Sequence, residues 1–128
     1  MQIFLTKWFA RWAIKEGLPE QALCAAVAEM EQGLIDAYLG GYVIKKRVAL
    51  NGRGKSGGVR TILGFKLKDK AFFLYGFAKN QRDNIDDKEL QALKMLASEL
   101  MKYDRKALDR AIQAQELIEL KEGTNEQT

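Results

Sequence analysis

The chain has 128 residues, 47% of them hydrophobic and 30% charged, the size and composition of one globular domain with its own core. It contains one cysteine and no histidine, which excludes an internal disulfide, an imidazole-based triad and a zinc site. No apolar run approaches the ~20 residues that span a bilayer, and the start lacks the features of a signal peptide. We therefore expect a cytoplasmic protein without a membrane anchor, a bound metal or a cofactor.

Positive charge is concentrated in the middle of the chain. Residues 42–82 contain eleven Lys or Arg and a single acid, Asp69, for a net charge of +10. The whole chain carries +4, so the two ends together carry −6. Such segregation favours a polyanionic partner, because each cation placed on a phosphate releases counterions. The competing interpretation is a basic hairpin whose exposed lysines only discourage aggregation.

The N-terminal third predicts one strand followed by two helices. Ile3–Leu5 reads as a short strand, and apolar residues then recur at helical spacing over Thr6–Glu16. A second helix begins near Pro19, which suits a first helical turn, and stops at Gly33. Two antiparallel helices should therefore lie on one side of a sheet. We expect the aromatic side chains of the first helix to be buried: Trp8, Phe9 and Trp12.

The middle third changes to strand periodicity. Tyr42–Leu50, Val59–Leu67 and Ala71–Ala78 are rich in β-branched and aromatic residues, with a loop over 51–58 and a tight turn at Lys68-Asp69. In the second strand, alternation puts Arg60 opposite the apolar face, so its side chain should point away from the core. In the first strand, Lys45 and Arg47 share one face. Burial is expected for two aromatic residues of the third strand, Tyr75 and Phe77.

The C-terminal third predicts two helices. The first begins at Asp86 or Asp87, where Asp86 and Glu89 have the spacing of a capping box, and continues through Leu100. The second is predicted over 104–120 from apolar residues at helical spacing.

The predicted order is β-α-α-β-β-β-α with an appended helix, an α+β fold with a small, mostly antiparallel sheet. We divide the chain into a domain over 1–103, an appended C-terminal helix over 104–120 and a frayed tail over 121–128.

Gly54-Lys55-Ser56 suggests a phosphate-binding loop, but its context is wrong. The Walker pattern needs a glycine five residues before Gly54, where Ala49 stands, and a helix afterwards, where the chain predicts a strand. Nucleotide binding is therefore not expected.

A set of cations forms the more informative constellation. Strand faces and ends should place these side chains around one patch: Lys45, Arg47, Lys55, Arg60, Lys79 and Arg82. Clustered like charges are unfavourable unless an anion fills the site. If the anion is RNA attacked by its own 2′-hydroxyl, an arginine could stabilise the phosphorane by bidentate hydrogen bonding, and lysines could transfer protons. A plain nucleic-acid surface without chemistry would have the same charge.

Two stretches carry a family resemblance: Gly54-Lys55-Ser56-Gly57-Gly58-Val59-Arg60-Thr61 and Phe72-Phe73-Leu74-Tyr75-Gly76-Phe77-Ala78-Lys79-Asn80. Together with the order of elements, they resemble the RelE/ParE superfamily of bacterial toxins, and its RelE and HigB-like branch most, over about residues 3 to 100. The resemblance implies a small sheet with two N-terminal helices on one face. It also implies a basic surface that grips messenger RNA in the ribosomal A site.

The resemblance also implies roles for individual residues. Arg60 matches the family's transition-state arginine, and Lys79 matches the basic residue that closes the last strand. Asn80 stands where RelE has an arginine, for which Arg82 could substitute. The RelE tyrosine near the C-terminal helix has no counterpart, and Lys55 has no direct match, so the general base stays open. The predicted catalytic residues are Arg60, Lys55 and Lys79, and the predicted RNA-binding residues are Lys45, Lys46, Arg47, Arg53, Asn80 and Arg82.

The first hypothesis is thus a metal-independent, ribosome-dependent endoribonuclease, the toxin of a type II toxin–antitoxin pair. It would act alone as a monomer or be held inactive in a hetero-oligomer with its cognate antitoxin. The alternatives are a ParE-like toxin that poisons DNA gyrase without nuclease chemistry, and a non-catalytic RNA-binding protein. The cationic constellation separates the first hypothesis from the second, because a gyrase poison does not need it.

Overall fold

The architecture comes from a computed structural model, which describes residues 1–50 and 54–121, with the side chains of 54–57 excepted. The described residues form one six-stranded sheet and four helices. In chain order the elements are β1 (Gln2–Thr6), α1 (Lys7–Glu16), α2 (Glu20–Glu31), β2 (Ala37–Gly40), β3 (Val43–Leu50), β4 (Gly54–Lys66), β5 (Lys70–Ala78), α3 (Asp87–Met101), α4 (Arg105–Gln113) and β6 (Leu117–Leu120). None of these helices is long and apolar enough to cross a lipid bilayer.

The sheet has the strand order β2-β3-β4-β5-β1-β6. Only β1 and β5 pair in parallel, and the other neighbours are antiparallel. This confirms the predicted α+β fold with a mostly antiparallel sheet. Helices α1 and α2 pack on one face, over a core that includes Phe9, Val27 and Phe73. Helices α3 and α4 pack on the other face, over a second core that includes Phe4 and Phe72.

Local signals in the sequence account for the helix ends. Thr6 caps α1 by accepting the backbone N–H of Phe9, and Gly17 ends the helix in the left-handed conformation, as glycine does at C-termini. The predicted capping box of α3 is present, since Asp86 accepts the N–H of Glu89 and Glu89 accepts the N–H of Asp86.

The C-terminal region corrects one expectation. The helix predicted over 104–120 ends at Gln113, and a strand follows. Gln115 has a positive φ of 62°, which turns the chain back so that Leu117–Leu120 pair with β1. Leu117 and Leu120 then bury on opposite faces of the sheet. The free edge of β1 offers backbone hydrogen bonds that a helix in this segment would leave unmade. The tail from 122 onward lies outside the described residues.

Two further strands, β2 and β4, differ from the sequence prediction: β2 was not predicted, and β4 starts earlier than expected. The short strand β2 extends the sheet beyond β3, and β4 begins at Gly54, so the loop expected through Gly58 is wrong over 54–58. A bulge interrupts the β3–β4 register between Val48 and Leu50. A Cβ at Gly58 would lie 2.0 Å from the backbone oxygen of Val48. Only glycine permits this approach of the two backbones.

A buried lysine ties α2 to the sheet. Lys46 of β3 is only 2% exposed, and its Nζ lies 2.7 Å from the carboxylate of Glu29 and 2.8 Å from the backbone oxygen of Leu34. Charges are rarely found at this depth unless they are paired. The pair therefore fixes α2 and the chain that follows it against β3.

Lys46→Ala is expected to lower the free energy of unfolding by about 2–4 kcal/mol, because it opens a cavity and leaves the carbonyl of Leu34 unpaired. Urea denaturation followed by circular dichroism measures this. Lys45→Ala, on the neighbouring position of the same strand, is the control and should change stability by about 0.5 kcal/mol or less. Equal effects of the two substitutions would contradict the structural role given to Lys46.

Candidate functional site

Several of the predicted cations lie toward the end of the sheet where β3 ends, β4 begins and β5 ends. Arg47 of β3 and Arg60 of β4 are direct partners in the antiparallel register, so both side chains leave the sheet on the same face. Phe77 of β5 is the neighbour of Arg60 on its other side. Two arginine side chains thus leave the sheet at opposed positions, which is unfavourable unless negative charge neutralises them.

Arg47 has a carboxylate partner. Asp36, just before β2, accepts hydrogen bonds from the backbone N–H of Arg47 at 2.7 Å and from its Nε at 2.8 Å. Burial raises the pKa of the Asp36 carboxyl, but the hydrogen bonds and the charge of Arg47 outweigh burial, and the pKa lies below its ordinary value. Asp36 is therefore ionised at neutral pH and balances the charge of Arg47.

Arg60 is placed differently. Its side chain is half-buried, and its Nη1 atom is buried without a hydrogen-bond partner among the described residues. Burying a donor of a charged group without a partner costs more than the roughly 1–3 kcal/mol of a neutral group. An oxygen of a bound anion would satisfy this donor.

The environment of Arg60 corrects a detail of the sequence interpretation. Arg60 does lie opposite Val59 and Leu63, which face the first core. The side chain does not simply point away from the core, however, because the second core covers the other face of β4 around Ile62. Arg60 therefore lies at the margin of a covered face.

Lys46 is the clearest correction to the predicted RNA-binding set. Alternation places Lys46 on the face opposite Lys45 and Arg47, under α2, where its ammonium forms an ion pair with Glu29. A side chain with 2% exposure has no surface to offer a phosphate. Lys46 is a structural residue in this fold.

The other predicted residues are placed as follows. Lys45 is half-buried on the face of Arg47, opposite Ile62 of β4. Lys79 and Asn80 are exposed immediately after β5, whose last residue, Ala78, pairs with Val59 beside Arg60. This brings Lys79 to the same end of the sheet as Arg60. Two members of the predicted set lie outside the description: Arg53 entirely, and Lys55 in its side chain.

Arg82 is held by an ion pair to α3. Its guanidinium donates to both carboxylate oxygens of Glu89, to the hydroxyl of Tyr75 at 3.1 Å and, through Nε, to the backbone oxygen of Asn84 at 3.0 Å. It also lies 5.6 Å from the ring centroid of Phe77. Hydrogen bonds from Arg82 and from the backbone of Asp86 lower the pKa of Glu89 to about 2, against a smaller opposing effect of burial.

The Arg82–Glu89 pair predicts a measurable titration. The pKa of Glu89 should be about 2 and should rise toward its ordinary value of 4.5 in Arg82→Met. Because the pKa is depressed in the folded state, the stabilisation is present above pH ~4.5 and is lost as pH falls toward ~2. NMR titration of the side-chain carboxyl of Glu89 measures the shift, with Lys88→Met as the control. A wild-type midpoint near 4.5 would show that the ion pair does not form in solution.

Sequence reasoning missed the acidic partners and one exposed aromatic side chain. Asp36 and Glu89 neutralise Arg47 and Arg82 across long-range contacts that no spacing rule gives, although the capping box had located Glu89. Trp8, expected to be buried, is 47% exposed. Its position beside the buried Phe9 on α1 was a signal, since adjacent helical residues cannot both face the core fully.

Chemically, this arrangement suits an oxyanion with more than one oxygen. A half-buried arginine, with one donor that no described residue accepts, can form the bidentate contact that phosphate geometry favours. Exposed cations at the same end of the sheet supply the longer-range attraction for a polyanion.

A family model described as the RelE toxin of the RelE / RelB toxin–antitoxin system matches residues 1–120. The chain therefore belongs to the RelE family. It is a toxin of a toxin–antitoxin system, and the family implies a protein antitoxin as its partner. No curated protein matches the chain.

Proposed function

We propose that this toxin is a ribosome-dependent endoribonuclease that cleaves messenger RNA in the A site of cytoplasmic ribosomes and so stops translation. The antitoxin would hold it inactive in a hetero-oligomer, and the free toxin would act as a monomer. One observation carries the proposal: Arg60 presents a buried guanidinium donor that has no partner among the described residues, in register with a second arginine.

In the proposed reaction, a 2′-hydroxyl of the RNA attacks the adjacent phosphorus while the bond from phosphorus to the 5′-oxygen of the next nucleotide breaks. The products are a 2′,3′-cyclic phosphate and a free 5′-hydroxyl. Arg60 would hold two non-bridging oxygens and stabilise the charge that accumulates on the phosphorane. This contact is worth most in the transition state, where the charge on those oxygens is greatest.

Two protons must move in this reaction, one from the attacking 2′-hydroxyl and one to the departing oxygen. Lys79, at the end of β5, and Lys55, at the start of β4, are the proposed carriers, because general acid–base work without histidine can use lysine. Lys45, Arg47, Asn80 and Arg82 would contact the RNA backbone, and Arg53 is proposed for the same role from sequence alone.

Arg60→Ala should slow cleavage by the equivalent of about 2–4 kcal/mol, the scale of losing one oxyanion donor. Arg60→Lys should recover only part of the rate, because an ammonium cannot hold two oxygens in a planar fork. Thermal stability should not fall, since the substitution removes a buried donor that has no partner among the described residues. Single-turnover cleavage on programmed ribosomes, with thermal melts, measures both effects.

Lys68→Ala, at the hairpin turn before β5, is the matched control and should cut at the wild-type rate, whereas Lys55→Ala and Lys79→Ala should be slower. Wild-type cutting by folded Arg60→Ala would remove Arg60 from the mechanism. If expression of the wild-type chain instead arrests growth through DNA breaks while translation continues, the gyrase-poison alternative would replace the proposal.

A further inference from the structure

An aromatic stack occupies a gap in the sheet beside the proposed site. The parallel pairing of β1 with β5 ends at Leu5 and Phe73. No strand of the described chain therefore pairs with that side of β5 from Tyr75 onward. Side chains of α1 fill the space. The ring of Trp8 stacks on Tyr75 with centroids 4.7 Å apart and planes inclined by 24°. Trp12 stacks on Trp8 at 6.1 Å.

The stack is held firmly at its base. The ring of Trp12 lies over Gly76, where a Cβ would come within 2.3 Å of Cζ3, so the indole rests directly on the backbone of β5. Capping of α1 by Thr6 fixes the start of the helix, and the Thr6 hydroxyl also reaches the backbone oxygen of Leu74 at 3.4 Å. A rigid aromatic group with one large ring 47% exposed is unusual for a side chain that only fills a core.

A cleft opens between this stack and α3. Its volume is about 160 Å³, and it is lined by Tyr75, Glu89, Ala92 and Leu93. The walls are thus an aromatic ring and two aliphatic side chains, with oxygen atoms at one edge. Within the described part of the chain, the Glu89 carboxylate accepts three hydrogen bonds, two from Arg82 and one from the N–H of Asp86. A carboxylate has about four acceptor positions, so one can accept a donor from a bound group.

The cleft also lies close to the proposed phosphate site. Tyr75 and Phe77 are two residues apart on β5, roughly 7 Å along the strand, and their ring centroids are 6.4 Å apart. Phe77 is in turn the direct neighbour of Arg60. Arg82 lies between the cleft and the proposed phosphate site, because it contacts both the hydroxyl of Tyr75 and the ring of Phe77.

We propose that this cleft binds one unpaired nucleobase of the RNA, stacked on Tyr75 and backed by Trp8, next to the phosphate held by Arg60. This inference rests on the proposed function. Bases that are not paired are recognised by stacking on aromatic rings and by hydrogen bonds to their edges. Arg60, the neighbour of Phe77 in the sheet, places positive charge close to the cleft. This charge favours a polyanionic strand over a protein segment as the occupant, and the volume of the cleft suits a single ring system.

The test uses bacterial ribosomes programmed with a messenger RNA whose A-site codon is 2′-O-methylated, so that the 2′-hydroxyl attack cannot occur. The fluorescent base 2-aminopurine replaces the natural base at one codon position at a time. Wild-type toxin should quench the fluorescence at one position, because stacking on an aromatic ring quenches this base. Tyr75→Leu should abolish the quench and raise the apparent Kd by roughly 5- to 150-fold, the usual range for one lost stack.

Matched variants separate stacking from folding. Trp8→Phe should keep most of the quench and Trp8→Leu should lose part of it, while Tyr38→Leu, which removes an exposed tyrosine from β2, should behave as wild type. Thermal melts identify variants that fail to fold, and if Tyr75→Leu is one of them, the graded series at Trp8 decides the question.

Two outcomes would overturn the inference. The first is that no codon position responds to a wild-type toxin that cuts an unmodified message, which would leave the proposed function standing. The second is that folded Tyr75→Leu quenches like wild type but is no longer neutralised by the antitoxin encoded beside this gene, which would assign the cleft to protein binding. Failure of the wild-type toxin to bind or cut on any ribosome would instead reject the proposed function itself.

Discussion

The direct opposition of Arg47 and Arg60 on the β3–β4 hairpin is the constraint on which the site depends. Like charges at opposed positions of an antiparallel pair repel, and among the described residues only Arg47 of the two has a carboxylate partner. Asp36 accepts hydrogen bonds from both the backbone N–H and Nε of Arg47. Nη1 of Arg60, by contrast, is buried without a hydrogen-bond partner among the described residues. Of these two arginines, Arg60 is therefore the one that is available to an external anion.

Covering both faces of the sheet makes this arrangement possible. The buried Lys46–Glu29 pair anchors α2 on one face, which α1 also covers, and α3 and α4 cover the other. Because α3 closes over the face that carries Arg60, the guanidinium lies at the margin of a low-dielectric region, where its attraction to phosphate is stronger than in water. The same helix supplies Glu89, which balances Arg82 and fixes it beside Tyr75 and Phe77.

Features with local causes could be predicted from the sequence, and features set by distant contacts could not. The capping box at Asp86, the helix stop at Gly17 and the face of Arg60 follow from spacing within a few residues. The strand Leu117–Leu120 does not, because its apolar spacing fits a helix equally well and the unpaired edge of β1 decides between them. The alternation of side chains along β3 could have placed Lys46 on the face opposite Lys45 and Arg47. The burial of Lys46 could not be predicted, because it depends on where α2 packs.

The central claim, that Arg60 serves an attack by a ribose hydroxyl on its neighbouring phosphate, is tested most directly by the chemistry of the cut ends. On programmed ribosomes an all-ribose A-site codon should yield a 2′,3′-cyclic phosphate and a 5′-hydroxyl. The same codon with a single 2′-deoxynucleotide at the cut position should stay intact. Cleavage of the deoxy-substituted message at the wild-type rate would contradict the mechanism, because the attacking oxygen would then have to come from water.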